Sequence, residues 1–343
     1  MALPALWLIV GLRVASSGPD LSQLQATFDR IVRGVRGDVG VALIHVESGA
    51  MLSIHGDRPF PMASVYKLPI ALELLTQIDA GTLSFDRSVF IGPSDIRACC
   101  TLSRHHPKGG ITLSAGELLE LMIVDSDNTA SDAVLKLVGG PEAVERRMRA
   151  LGFDAIHVNR YEGDIAFEMC GGLNPPPRAQ WTLELQRRLI AEVPAPALQD
   201  ARARYTRDPR DSATPDDMAR FLGRLQLGNL LPRASTDRLL DLLARAKTGP
   251  RRLKALLPPE TIVAHKTGTT DVVVNDVGIL TLPEDKGHLA LVAFMTNGRR
   301  ASAMEQTIAR LAGAAFEFFT GKPLPSPPKT AKRPAKRRIR ARL

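Results

Sequence analysis

The chain has 343 residues, 44% of them hydrophobic, enough to bury the core of one large or two ordinary domains. Its net charge of +9 invites a nucleic-acid reading, but Lys329, Lys332, Arg333, Lys336, Arg337, Arg338, Arg340 and Arg342 supply eight of those nine charges with no acid among them. The rest of the chain is nearly neutral, which excludes a basic body built around nucleic acid and leaves a basic, proline-rich, solvated tail over 321–343, with weak contact to an anionic surface as the sharper alternative.

In chain order, Met1 to Gly11 is an apolar run followed by the small residues Ala15, Ser16 and Ser17, which resembles a secretory signal over 1–18 and implies a periplasmic or secreted protein. No Lys or Arg precedes the run and Arg13 falls near its end, so a buried N-terminal segment is the alternative. No later stretch reaches the ~18 apolar residues of a membrane span. Leu21 to Val35 has helical spacing, and Val39 to Val46 and Met51 to Ile54 read as strands joined by a turn at Ser48 and Gly49. Helices follow at Val65 to Gln77, Ala115 to Ile123, Thr129 to Val138, Glu142 to Leu151, Pro215 to Gln226 and Thr236 to Ala246. Strand character returns at Ile262 to Ala264, Asp276 to Leu282 and Leu289 to Met295, and Ser302 to Phe319 closes as an amphipathic helix. The expected architecture is α/β: an antiparallel sheet flanked by helices from 20–60 and 257–320, plus an all-helical subdomain over 61–256. The cleft between such parts is where a site is expected. Cys99, Cys100 and Cys170 form neither a paired framework nor a zinc pattern, so no essential disulfide, metal or cofactor is expected.

Three short patterns carry chemistry. Ser64 and Lys67 sit three apart at a helix start and share a face, where a neutral amine could take the hydroxyl's proton. The spacing alone arises roughly once by chance in such a chain. A second copy, Ser326 to Lys329, lies among prolines and is rejected on context. Ser126, Asp127 and Asn128 lie between two helices, where a capping role for Asp127 competes with proton relay by Ser126 and amide recognition by Asn128. Lys266, Thr267, Gly268 and Thr269 leave a strand edge that presents backbone donors to an acyl group and a cation to a carboxylate. Lys247 to Gly249 is a decoy at a helix end. Chance predicts on the order of 0.1 copies of each of the last two patterns, so all three in this order form a specific signal.

With these motifs, and with the stretches FPMASVYKLPIALELL, TLSAGELLELMIVDSDNTASDAVL and TGPRRLKALLPPETIVAHKTGTTDVVVNDVGIL, the chain from about Asp20 to Thr320 resembles the penicillin-interacting serine enzymes, and most of all the class A β-lactamases. The resemblance implies a monomeric enzyme acting on a small-molecule β-lactam. Ser64 would attack, Lys67 or Glu162 would take its proton, and the backbone N–H groups of Ser64 and Thr269 would hold the oxyanion. Ser126 would protonate the leaving nitrogen, Asn128, Lys266, Thr267, Gly268 and Thr269 would bind substrate, and Glu162 would direct water at the ester.

Glu162 lies in Arg160, Tyr161, Glu162, Gly163, Asp164, and two departures surround it: the family's Pro is Gly163, and the Asn that helps hold the water is Ala166. A surface role for Glu162, with Glu168 or no residue in its place, is the competing reading. The family's closing Arg-Asp pair is resembled by Arg210 and Asp211, 48 residues beyond Glu162. Because loops longer than ~12 to 15 residues seldom lack structure, an insertion near 166–208 is expected, with a helix at Trp181 to Glu192 that either covers the site or packs outside it. His105 and His106 read as exposed loop residues and His265 as pointing away from Lys266. No Arg soon after Gly268 supplements Lys266. Two other functions stay open: a D,D-peptidase of peptidoglycan that deacylates slowly, and a non-catalytic wall-binding or penicillin-binding protein.

Overall fold

Period-two alternation builds the sheet. The computed structural model describes residues 19–172, 176–298 and 300–324. Its elements in order are α1 (Ser22–Arg33), β1 (Asp38–His45), β2 (Met51–Ile54), β3 (Phe60–Pro61), a 3-10 turn (Ala63–Tyr66), α2 (Lys67–Asp79), β4 (Ser88–Ile91), α3 (Cys100–His105), β5 (Ile111–Ser114), α4 (Ala115–Val124), α5 (Asn128–Leu137), α6 (Pro141–Ala150), α7 (Glu162–Met169), α8 (Leu183–Ala191), α9 (Ala195–Tyr205), β6 (Ser212–Ala213), α10 (Pro215–Gln226), α11 (Arg233–Ala244), β7 (Val263–Thr269), β8 (Val274–Thr281), β9 (His288–Thr296) and α12 (Ala301–Thr320).

Five strands form one antiparallel sheet in the order β2-β1-β9-β8-β7. On β9, Leu289, Leu291, Ala293 and Met295 join the cluster made with α1 and α12, while Ala290, Val292 and Phe294 join the larger cluster on the opposite face. Both faces are therefore buried, which is why β8 and β9 read as nearly continuous apolar runs. The larger cluster continues into α2, α4 and α5, including Leu68, Leu72, Leu118, Met122 and Val134. Burying each such Leu or Val is worth about 1.5 to 3 kcal/mol.

Several expectations change in detail. The helix expected from Val65 begins at Lys67, after the 3-10 turn that carries Ser64. The part expected to be all helical also holds two small antiparallel pairs, β3 with β6 and β4 with β5. Strands of two to four residues are too short to display a period. Helix α10, assigned from sequence to the helical part, packs on β1, β8 and β9 instead, since an amphipathic pattern reveals that a face is buried and not against what. The signal-like 1–18, the second Ser-Lys copy and most of the basic tail lie outside the described residues.

Candidate active site

Strand β3 delivers the chain to Ser64. Pro61 pairs with Ser212, and the buried Asn275 of β8 donates to the carbonyls of Pro61 (2.8 Å) and Met62 (3.1 Å), pinning this turn to the sheet. Ala63 adopts a left-handed φ of 47° just before Ser64, and α2 starts three residues on with Lys67 completely buried. The Lys67 ammonium lies 3.1 Å from Ser64 Oγ, 2.8 Å from the Ser126 carbonyl and 2.7 Å from Asn128 Oδ1, all as acceptors. It is also 3.0 Å from Glu162 Oε1. That last contact is an ion pair without hydrogen-bond alignment, so Glu162 Oε1 stays buried with no hydrogen-bond donor among the described residues.

The turn between α4 and α5 places Ser126 at φ 60°. Asp127 caps α5, accepting from Ala130 N at 3.0 Å, and its other oxygen accepts from Leu102 N at 2.8 Å, so it braces the turn as its position suggested. Ser126 Oγ accepts from Lys266 at 2.8 Å and lies 3.4 Å from Lys67. One hydroxyl thus joins two buried ammonium groups, a position from which a proton could be relayed. Burial, then the nearby charge of Lys67, pushes the Lys266 ammonium well below the usual lysine range.

Strand β7 closes the cleft. A Cβ at Gly268 would come within 2.3 Å of the Met62 carbonyl and 3.3 Å of Ser64 N, so only glycine lets this strand lie beside the turn of the nucleophile. Thr267 Oγ1 lies 2.6 Å from Thr248 Oγ1, so the decoy segment helps to wall the site while its Lys247 pairs outward with Asp125. A guanidinium absent from the residues after Gly268 arrives from elsewhere: buried Arg252 donates to Thr269 Oγ1 at 2.8 Å and to the Asn275 carbonyl at 2.8 Å. His265 points to the other face and bonds Asp276 at 2.8 Å.

Glu162 is held by residues that the motifs did not single out. It starts α7, and its backbone N–H donates at 2.6 Å to Asp132 Oδ1, while Arg97 Nε donates at 2.6 Å to Asp132 Oδ2. Burial raises the Asp132 carboxyl, opposed by Arg97. Asp132 lies one helical turn beyond Asn128 in DNTASD, a spacing that could have revealed it. Removing one partner of so buried a pair leaves an uncompensated charge. Asp132→Ala is therefore expected to lower stability by about 3 to 5 kcal/mol in a urea melt.

The loop closes through a buried pair, Arg160 Nε to Asp211 Oδ2 at 2.6 Å, with Asp211 Oδ1 accepting from Asn159 N and Arg160 N. Arg210 instead turns outward to Asp208 and Glu168. Glu168 is bound by Arg160 and Arg210 and lines a different cavity from Ser64. The peptide after Glu162 is trans. A Cβ at Gly163 would come within 2.6 Å of the Trp181 ring and 2.7 Å of Arg97 Nε, so glycine here accommodates the insertion. The expected helix is α8, and α9 follows it unforeseen, its mixed small and charged residues giving a weak pattern. The insertion covers one side of the site: Tyr205, at the end of α9, lines the cleft with its hydroxyl buried and unpartnered among the described residues. Burial and the negative Glu162 raise its phenol.

The cleft encloses about 340 Å³ and is lined by Ser64, Ser126, Asn128, Glu162, Thr267 and Thr269, with Lys67 and Lys266 buried beneath. Every expected site residue is thus brought to one place. The cysteines differ from expectation. Cys99 and Cys100 are joined by a disulfide and stand half-buried at the rim of this cleft, where their being adjacent in sequence masked them as a pair. His105 is exposed and ends α3. No group of three or more His, Cys, Asp or Glu able to hold a metal occurs among the described residues.

The model of the Beta-lactamase enzyme family matches residues 23–319. The chain is 28% identical to Beta-lactamase VEB-1 of Pseudomonas aeruginosa over 90% of this chain and 94% of that protein. It is 26% identical to the Extended-spectrum beta-lactamase PER-1 of the same organism over 86% and 87%. Among solved structures it is similar to a beta-lactamase from Chitinophaga pinensis (TM-score 0.71, 29% identity, 86% of this chain and 99% of that one). It is also similar to an ancestral class A beta-lactamase (TM-score 0.70, 28% identity, 86% and 100%).

Proposed function

The chain belongs to the β-lactamase enzyme family, as a class A serine β-lactamase that hydrolyses β-lactams, and we propose that Ser64 opens the ring and Glu162 releases the product. The observation that carries this assignment is that one buried ammonium, that of Lys67, lies 3.1 Å from the Ser64 hydroxyl and 3.0 Å from the Glu162 carboxylate. These contacts give the Ser64 proton an acceptor in Lys67 itself or, through Lys67, in Glu162. Ser64 Oγ attacks the lactam carbonyl, and the backbone N–H groups of Ser64 and Thr269 stabilise the oxyanion. The C–N bond then breaks, and the nitrogen takes a proton from Ser126, which is resupplied through Lys67 with the proton that left Ser64, so that Glu162 is again a carboxylate. In the second half Glu162 accepts a proton from water, the resulting hydroxide attacks the ester, and Ser64 leaves with its proton restored.

Gly163 and Ala166 are the features that favour a slowly deacylating D,D-peptidase. Glu162 reaches Lys67 despite Gly163, which leaves the deacylating carboxylate in play. Mixing the protein with a chromogenic cephalosporin separates the two readings. Sustained turnover supports the β-lactamase assignment, whereas one stoichiometric adduct and no turnover would overturn it in favour of a penicillin-binding hydrolase.

Lys266, with Arg252 behind Thr269, is suited to grip the substrate carboxylate. Because burial lowers the lysine's pKa below its ordinary 10.5, the cation is lost as pH rises through that shifted value. We expect KM to rise on the alkaline side before pH 10.5 is reached, and Lys266→Arg, which stays charged, to move that limb upward. Export by the signal-like segment, a periplasmic or secreted location and a monomeric state complete the proposal. Weak, salt-sensitive contact of the basic tail with anionic surfaces would show as retention on an anionic matrix that salt abolishes.

A further inference from the structure

The disulfide between Cys99 and Cys100 has no part in the chemistry described above, yet both residues line the catalytic cleft and stand half-buried, within reach of small solutes. The segment that carries it braces the site at two points. On one side Cys99 N donates to the Arg97 carbonyl at 2.7 Å, and Arg97 holds Asp132, whose other oxygen takes the backbone N–H of Glu162. On the other side Leu102 N donates to Asp127 in the turn of Ser126. Cys100 Sγ itself lies 3.5 Å from the Ser126 carbonyl, the oxygen that accepts from the Lys67 ammonium at 2.8 Å. The two sulfurs therefore sit between the anchor of Glu162 and the turn of Ser126.

Cys100 also adopts a φ of 75°, a left-handed conformation uncommon for a residue with a side chain and kept only where the surroundings enforce it. The bond to Cys99 ties two neighbouring side chains into one ring and so couples their backbone angles. Opening that ring frees Cys100 to return to negative φ, and the path of the chain from Arg97 to Leu102 changes with it. The Cys100 thiol so formed is a weak donor facing a carbonyl that Lys67 already uses. We propose that the Cys99–Cys100 bond is a site of thiol–disulfide exchange with small dithiols that switches the enzyme: closed, it holds Ser126 and Glu162 in place, and reduced, it releases both braces and slows hydrolysis. This rests on the β-lactamase reading above.

The exchange is complete with the dithiol alone. One of its thiolates attacks a cysteine sulfur, the S–S bond breaks, and the other cysteine leaves as a thiolate and takes a proton. The second thiolate of the dithiol then attacks the reductant's own sulfur in the mixed disulfide and displaces the remaining cysteine. Two electrons pass to the protein pair, and the reductant ends as a cyclic disulfide. A small disulfide such as oxidised glutathione takes the two electrons back and closes the bond. An oxidising compartment keeps the switch closed and a thiol-rich one opens it.

The test treats the full chain, Cys170→Ser and the double variant Cys99→Ser/Cys100→Ser with dithiothreitol and then with oxidised glutathione. Alkylation and intact mass are expected to count one free thiol in the untreated chain, that of Cys170, and two more after reduction. Reduction is expected to lower kcat/KM for a chromogenic cephalosporin by about ten- to a hundredfold, the scale of a small misplacement of catalytic groups. The loss should appear in the wild type and in Cys170→Ser alike, reverse on reoxidation and leave the far-ultraviolet circular dichroism unchanged. The double variant should stay at the reduced level with or without dithiol; if it fails to fold, the reversible wild-type titration decides alone. Unchanged turnover once the two further thiols are counted overturns the switch. So does a double variant that matches the oxidised wild type or still loses activity to dithiol, a bond that oxidised glutathione cannot close, or a loss of helical signal on reduction. If the protein forms only a stable adduct, the β-lactamase reading fails, and the rate of acylation of Ser64 in the oxidised and reduced forms decides for or against the switch. If neither form reacts with a β-lactam, both fall.

Discussion

Ser64→Ala is expected to reduce turnover of a chromogenic cephalosporin by on the order of 10⁴-fold or more and to leave no covalent adduct by intact mass. The size of the effect follows from where Ser64 stands. Its hydroxyl is the group in the cleft that combines partial exposure, contact with a buried ammonium and a place beside the glycine strand edge. Removing one oxygen leaves Lys67, Ser126, Asn128 and Lys266 joined by their own contacts, so the pocket survives and only the nucleophile is lost. Substrate should still bind, and competition with the wild type for a β-lactam would show this. Activity within tenfold of wild type would mean that hydrolysis proceeds without the acyl-enzyme.

Glu162→Gln should separate the two halves of the reaction. Glutamine keeps the shape of the side chain and cannot accept a proton from water, so kcat is expected to fall by about 10² to 10⁴. If acylation continues while deacylation stalls, KM falls with kcat, because the acyl-enzyme becomes the dominant species. The backbone anchors of Glu162 on Asp132 are untouched by this change, which confines the effect to the carboxylate. A parallel collapse of acylation would instead make Glu162 the acceptor of the Ser64 proton as well, through the 3.0 Å contact with Lys67.

The legible parts of this protein were those where chemistry or periodicity leaves a local mark. Ser64 with Lys67, Ser126 with Asn128, and Lys266 to Thr269 are short, contiguous patterns, and each was placed by the element on which it sits. The long sheet strands and helices α2, α4, α5, α6, α10, α11 and α12 repeat their apolar residues often enough to declare a period. What escaped depends on contacts between segments far apart in sequence. Arg252 reaches Thr269 across 17 positions, Asp132 holds Glu162 across 30, and Tyr205 enters the cleft from the far end of the insertion. Gly163 looked like a defect when set against a proline. Its meaning emerges only beside Trp181, whose ring occupies the space a side chain would need. Cys99 and Cys100 give no pairing signal in the sequence because a disulfide framework is read from spaced cysteines, and their bond shows only where they stand half-buried at the rim of the cleft.

The central claim is that Glu162 works as the deacylating base in spite of its altered loop. Intact mass spectrometry of wild type and Glu162→Gln, each mixed with a slight excess of a penicillin and sampled over seconds to hours, addresses it directly. The account predicts that the wild type returns to its free mass once the penicillin is consumed, while Glu162→Gln holds one penicillin mass on Ser64 for far longer. A variant that clears its adduct as fast as the wild type would contradict it and place the base on another residue.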